Sequence, residues 1–330
     1  MKKKVSLPCQ ESGRPAVILG MRQPNHSNIE LHLVNGGELQ LSELPPRAVA
    51  LDGAVPGLVL GDDADRWSFD HHSGVQRFAT DATCTMVHRT IVQGFDWYDR
   101  DVYVNDLDGD TILSLWLIRN PEQAQRPQVR SLVRVVAAVD SHGPAGQLEL
   151  GTEERALADT FFSPKGVYSV LPRDVQQHFS EWPTMLEKAY QLIHDLVEGV
   201  LEAAPTPSPT VHVLHRLDLN GLILAIAECA GFGGFGVLYR MGTDVVCLCS
   251  KAADESKRYT VGKRSDLVRF PLGPNAVEKS LLGQLNSREA GWGGSSSIGG
   301  SPRLEGGVSS RLTVSEVWDV MKSVAHDAKR

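Results

Sequence analysis

Short runs rich in Val, Ile, Leu and Ala recur through the first 140 residues, and several end in a carboxylate or an imidazole. Residues 48–51 run into Asp52, and residues 67–69 into Asp70-His71-His72. Residues 102–104 run into Asn105-Asp106-Leu107-Asp108-Gly109-Asp110, and residues 135–139 into Asp140-Ser141-His142. Runs of this kind predict buried strands of a parallel sheet, whose ligands gather outside the carboxyl ends. For residues 129–139 the pattern fits helix as well as strand, because periodicity alone does not separate the two.

Between these runs the spacing turns helical. Residues 82–93 follow Thr80-Asp81, which has the character of a helix N-cap, and residues 111–118 form an apolar helix. Pro183 opens a long amphipathic helix with Met185, Leu186, Ala189, Tyr190, Ile193, Leu196 and Val197 on one face, ending near Ala203-Ala204. Residues 16–20 and 29–34 are short strands, followed by the hairpin-type turn Asn35-Gly36-Gly37. Pro205, Pro207 and Pro209 mark an extended linker over 205–210. This divides the chain into domains 1–204 and 211–330. In the second, residues 211–214, 237–239, 244–249 and 259–261 read as strands, and 222–230, 277–285 and 314–324 as helices. Gly231-Phe232-Gly233-Gly234-Phe235-Gly236 then reads as a helix end and turn, since a dinucleotide-binding glycine motif needs a strand before it and a helix after it. The fold class is α/β, a parallel-sheet first domain with a smaller α/β second domain.

The acids and imidazoles at the run ends offer the oxygen and nitrogen donors that Mn, Fe, Zn or Mg accept. An EF-hand is excluded, because the twelfth position counted from Asp106 is Leu117. Residues 291–310 are a Gly/Ser tract that ends near cations, and backbone N–H groups in such a loop can cradle phosphate.

Asp70-His71-His72 and Asp106-Leu107-Asp108-Gly109 resemble motifs of the DHH phosphoesterase superfamily, which includes RecJ-type exonucleases, nanoRNases, cyclic dinucleotide phosphodiesterases and family II pyrophosphatases. The order is rearranged: in the family the Asp-x-Asp-Gly motif precedes Asp-His-His. Val104 also stands where the family usually has a ligand His, which leaves Asp110 or His142 to supply a donor. The resemblance implies a DHH-like N-terminal domain and a C-terminal domain that binds substrate. It implies Mn2+ (two ions, with Mg2+ as substitute) held by Asp52, His71, Asp106, Asp108 and Asp140, with His72 and Asp70 catalytic. It also implies a substrate loop of Ser295, Gly299, Gly300, Ser301, Arg303 and Arg311. The implied activity is hydrolysis of a phosphodiester or phosphomonoester in a small nucleotide or short oligonucleotide. Pyrophosphate or polyphosphate hydrolysis and a nucleotide-binding sensor without catalysis are the alternatives.

Composition narrows the partners. The 330 residues carry a net charge of −7, which argues against sequence-independent binding of long double-stranded nucleic acid. No apolar stretch is long enough for a membrane span, and the five cysteines show no paired spacing. The expectation is a cytoplasmic protein with reduced thiols, and a homodimer remains open.

Overall fold

The computed structural model describes residues 4–5, 18–22, 29–34, 38–57, 60–72, 75, 79–163, 166–171, 175–203, 209–229, 233–251, 256–273, 279–302 and 309–328. The turn expected at 35–37 lies outside them. The chain is mixed α/β and divides into two compact units. One comprises Met1–Ser141 with Leu150–Thr206, and the other His142–Glu149 with Pro207–Arg330. The eight residues 142–149, expected with the first domain, thus group with the second.

The first unit is built on the strands β1 (Lys4–Val5), β2 (Ile18–Arg22), β3 (Glu30–Val34), β4 (Val49–Leu51), β5 (Leu60–Gly61), β6 (Trp67–Phe69) and β7 (Asp101–Val104). They lie in the order β1-β2-β3-β7-β4-β6-β5. The four inner strands β3, β7, β4 and β6 are mutually parallel, and the remaining pairings are antiparallel. The central strand β4 is buried on both faces, which accounts for its unbroken apolar sequence. Leu31, Leu33, Val49, Leu51, Phe69, Val102 and Val104 pack into the larger core, against residues of the helices α1 (Thr83–Val92), α2 (Gly109–Arg119), α3 (Pro127–His142) and α5 (Trp182–Val197). Helix α4 (Thr152–Phe161) adds Phe161. The opposite face carries Val34, Ala50 and Tyr103 against residues 39–55.

Three local readings change here. The run before Asp140 is the helix α3, with Val129, Leu132, Val133 and Val136 buried at helical spacing, so Asp140 comes from a helix and not from a strand end. The N-cap of α1 is Ala82, which has no side chain able to cap; Thr80-Asp81 do not fill that place. Helix α5 ends at Val197, short of residues 203–204.

The second unit carries β8 (His212–Leu219), β9 (Leu222–Glu228), β10 (Val245–Lys251), β11 (Lys257–Lys263), β12 (Gly293–Gly294) and β13 (Ile298–Gly300), ordered β12-β13-β11-β10-β9-β8. Only β9 and β10 are parallel neighbours. Helices α7 (Leu281–Arg288) and α8 (Val314–Asp327) pack on one face with Cys247 and Cys249, which are free, buried thiols. Helix α6 (Gly233–Arg240) packs on the other.

The stretch 222–230 expected as helix is therefore the strand β9, and the expected strand 237–239 lies inside α6. A run such as Leu224-Ala225-Ile226-Ala227, buried between two strands, has no period by which to tell it from a buried helix. The described residues on either side of 230–232 thus run from strand to helix to parallel strand, contrary to the order on which the dinucleotide-binding motif was set aside. Two of the glycines there have packing reasons, however: a Cβ on Gly234 would lie 2.6 Å from Cys229 Sγ, and one on Gly233 3.1 Å from Pro209 Cγ.

Candidate metal centre

Strand β4 lies between β6 and β7, so the carboxyl ends of these three strands meet. Asp52 follows β4 with φ 51°, and Gly53 follows with φ 84°. Asp is among the few non-glycine residues that tolerate this left-handed turn. The loop it opens is pinned from both sides. Asn105 Nδ2 donates to Gly53 O at 3.0 Å, Ser68 Oγ to Val55 O at 2.8 Å, and Gly57 N to Asp70 Oδ2 at 2.8 Å.

His71 is fully buried. Its Nε2 lies 2.8 Å from Asp140 Oδ2, 3.5 Å from Asp52 Oδ1 and 3.6 Å from Asp110 Oδ2. Neither ring nitrogen makes a hydrogen bond of ordinary geometry among the described residues. His72 Nε2 sits 2.7 Å from Asp52 Oδ1 and is the more exposed of the two rings. Two donor sets result, Asp52-His71-His72 and His71-Asp110-Asp140, each with its ligand atoms within 4.8 Å of one another.

Burial opposes the Asp52 carboxylate, but the neighbouring His71 and His72 outweigh it and hold its pKa well below the usual carboxylate range. Burial pushes Asp108 well above that range, with the charges of Asp52, Asp140 and Asp110 adding to the effect. Asp110 is pushed up to about 7 by burial and then by Asp140 and Asp52. An assembly of buried carboxylates that outnumber their imidazoles takes up protons unless a cation compensates it. Carboxylate oxygens and imidazole nitrogens at this spacing suit a divalent cation, and the absence of an ordinary hydrogen bond at either His71 nitrogen fits the same reading.

The expected residues fare differently. Asp52, His71, His72 and Asp140 are brought together, and so is Asp110, first considered only as a substitute ligand. Asp108 is the N-cap of α2, accepting from Thr111 N at 2.8 Å, and belongs to neither donor set. Asp106 is exposed, accepts from Leu107 N at 2.7 Å and also stands outside them. Asp70 accepts from Gly57 N and His72 N, both at 2.8 Å, so its carboxylate shapes the loop that presents the imidazoles. His142 faces Glu149 Oε1 at 3.5 Å. Val104 is buried in the core, where no ligand is needed.

In the second unit, Ser295 Oγ accepts from Ser297 N and Ile298 N at 3.3 Å, and Ser301 Oγ accepts from Tyr259 N at 3.0 Å. A Cβ on Gly299 would meet Leu282 Cδ1 at 2.6 Å, and one on Gly300 Tyr259 O at 3.1 Å. These residues are thus engaged in building the hairpin on β11. Arg311 is exposed, its N–H donating to Glu289 Oε1 at 2.8 Å, and Arg303 lies outside the described residues.

Sequence reasoning passed over Thr83 and Thr111, which both donate to Asp52. The hydroxyl that opens the run 111–118, polar with Ser114 among apolar neighbours, was the available signal for Thr111, since a buried polar group needs a partner. A further grouping, Glu30, His32 and Asp101, lies at the amino ends of β3 and β7, with the His32 ring stacked on Tyr103.

No protein-family model matches the chain, and no curated protein matches it in sequence. Among the described residues no helix is long and apolar enough to cross a membrane.

Proposed function

We propose that the first unit binds divalent cations, Mn2+ above all, and hydrolyses a phosphoester of a small nucleotide or short oligonucleotide in the manner of DHH phosphoesterases. One observation carries the cation reading: a fully buried imidazole faces three carboxylates, from the ends of β4 and the helices α2 and α3, without an ordinary hydrogen bond. The sequence resemblance supports the choice of phosphoester.

Cations bound here would supply Lewis acidity and acidify water. The chain's own groups do the rest. Asp52, His71, Asp110 and Asp140 would hold the positive charge, the first three of them buried. Asp70 fixes the backbone from which both imidazoles project. His72 is the ring that solvent reaches, so it is the imidazole assigned to the departing ester oxygen, with its Nε2 oriented by Asp52 Oδ1 at 2.7 Å.

A nucleotide and pyrophosphate panel with added Mn2+, read by released product, tests this proposal. Wild type should turn over at least one phosphoester, and chelation should abolish it. Asp52→Asn should lose Mn2+ binding and turnover together, because a neutral amide compensates a divalent cation poorly. Full activity in that variant would remove Asp52 from the site. Cation-dependent release from pyrophosphate alone would move the reading to pyrophosphate hydrolysis. Nucleotide binding without turnover would move it to a sensor.

A further inference from the structure

Besides the imidazole of His72, whose Nε2 lies 2.7 Å from Oδ1, Asp52 has a neutral hydroxyl donor at each carboxylate oxygen. Thr111 Oγ1, on the first turn of α2, donates to Asp52 Oδ2 at 2.9 Å. Thr83 Oγ1, on the first residue of α1, donates to Asp52 Oδ1 at 3.2 Å and shares its proton with Phe69 O at 3.3 Å. Both threonines are buried, Thr83 at 0% and Thr111 at 1% exposure, so water does not compete for these bonds.

The chemistry of the donor matters. A Lys or Arg here would orient the carboxylate but also neutralise it, and a cation would have to displace that charge. A hydroxyl orients it and leaves the charge in place. A carboxylate oxygen has two lone-pair sites, so at Oδ2 one can stay with Thr111 while the other faces a cation; Oδ1 is shared between Thr83 and His72. Partners of this kind around metal ligands fix ligand direction, and their loss weakens binding by on the order of tenfold to a hundredfold.

We propose that Thr111, assisted by Thr83, is a positioning residue that presents Asp52 to the cation; this rests on the cation reading above. The two helices that enclose the strand end are thereby keyed to one ligand. Thr111 acts through Asp52 and touches no substrate.

The test is the affinity of the full chain for Mn2+, read by electron paramagnetic resonance of the free ion, together with thermal unfolding in chelator. Thr111→Val keeps shape and removes the donor. It should weaken Mn2+ by on the order of tenfold to a hundredfold, and Thr111→Ser should stay within about threefold of wild type by the same principle. A purely structural hydroxyl predicts a lower melting temperature in chelator with unchanged Mn2+ affinity, and that result would overturn the proposal. If Thr111→Val does not fold, the pair Thr83→Ala and Thr83→Ser carries the same test at Oδ1: loss with Ala and retention with Ser supports it, and equal affinity overturns it. A wild type that binds no Mn2+ removes the cation reading and this proposal together. A wild type that binds Mn2+ whatever stands at positions 83 and 111 removes this proposal alone.

Discussion

His71 holds its proton more tightly in the fold than in the unfolded chain: burial disfavours the charged ring, but Asp140 and Asp52 beside it raise its pKa from 6.5 to about 10. Its contribution to stability is therefore complete below about pH 6.5 and fades as pH rises through about 10. Asp110 carries the same sign. With its pKa raised from 3.8 to about 7, its contribution fades as pH climbs through that interval. Asp52 has the opposite sign: its contribution is present above 3.8 and lost only as the solution becomes strongly acidic. In chelator, the unfolding temperature of the first unit should fall steadily from pH 5 to pH 10. Cations require deprotonated ligands, so with saturating Mn2+ the same scan should flatten or rise. A chelated protein whose melting temperature climbs over that range would show that the cluster does not bind protons as its geometry implies.

At the level of elements, α1 depends on a residue from another helix. Ala82 cannot cap it, and Asp110 of α2 takes that place by accepting from Thr83 N at 2.8 Å and Cys84 N at 2.7 Å. Asp110→Ala should cost about 1–3 kcal/mol, with amide exchange accelerating first in the opening turn of α1. Unchanged exchange there would show that the helix is held by packing alone. In the second unit, Gly299→Ala should destabilise by about 1–3 kcal/mol, because the new methyl meets Leu282 and Gly293 O. Gly293→Ala, facing open space, should be close to neutral in the same denaturant titration. These elements also mark where sequence reading stopped. The ends of β4 and β6 were legible because an apolar run gave way abruptly to Asp52 and Asp70-His71-His72. Helix α3 was open to helix or strand, although Val129, Leu132, Val133 and Val136 carry the helical spacing. Strand β9 was misread because burial on both faces erases periodicity. The cap supplied by Asp110 could not be read at all, since its recipients lie 26 and 27 residues away in the chain.

Across the whole first unit, the pairings of the parallel sheet join strands far apart in sequence: Glu30 lies opposite Asp101, and Val49 opposite Val102. Closing such distances delays contact formation, so sheets of this kind assemble late in folding. Asp52, His71 and Asp140 are therefore scattered until the sheet and α3 have come together. Cations held by the two donor sets that share His71 meet them only after the rate-limiting ascent is over, and their hold must be broken before the descent in the other direction can begin. Mn2+ should therefore slow unfolding strongly while leaving the refolding limb of a stopped-flow chevron where it was. Acceleration of refolding with no change in unfolding would mean that the donors gather early, ahead of the sheet. On the late-assembly account, the ion acts as a latch on a finished fold, and the lifetime of the folded unit follows the supply of cation more closely than the speed at which it forms.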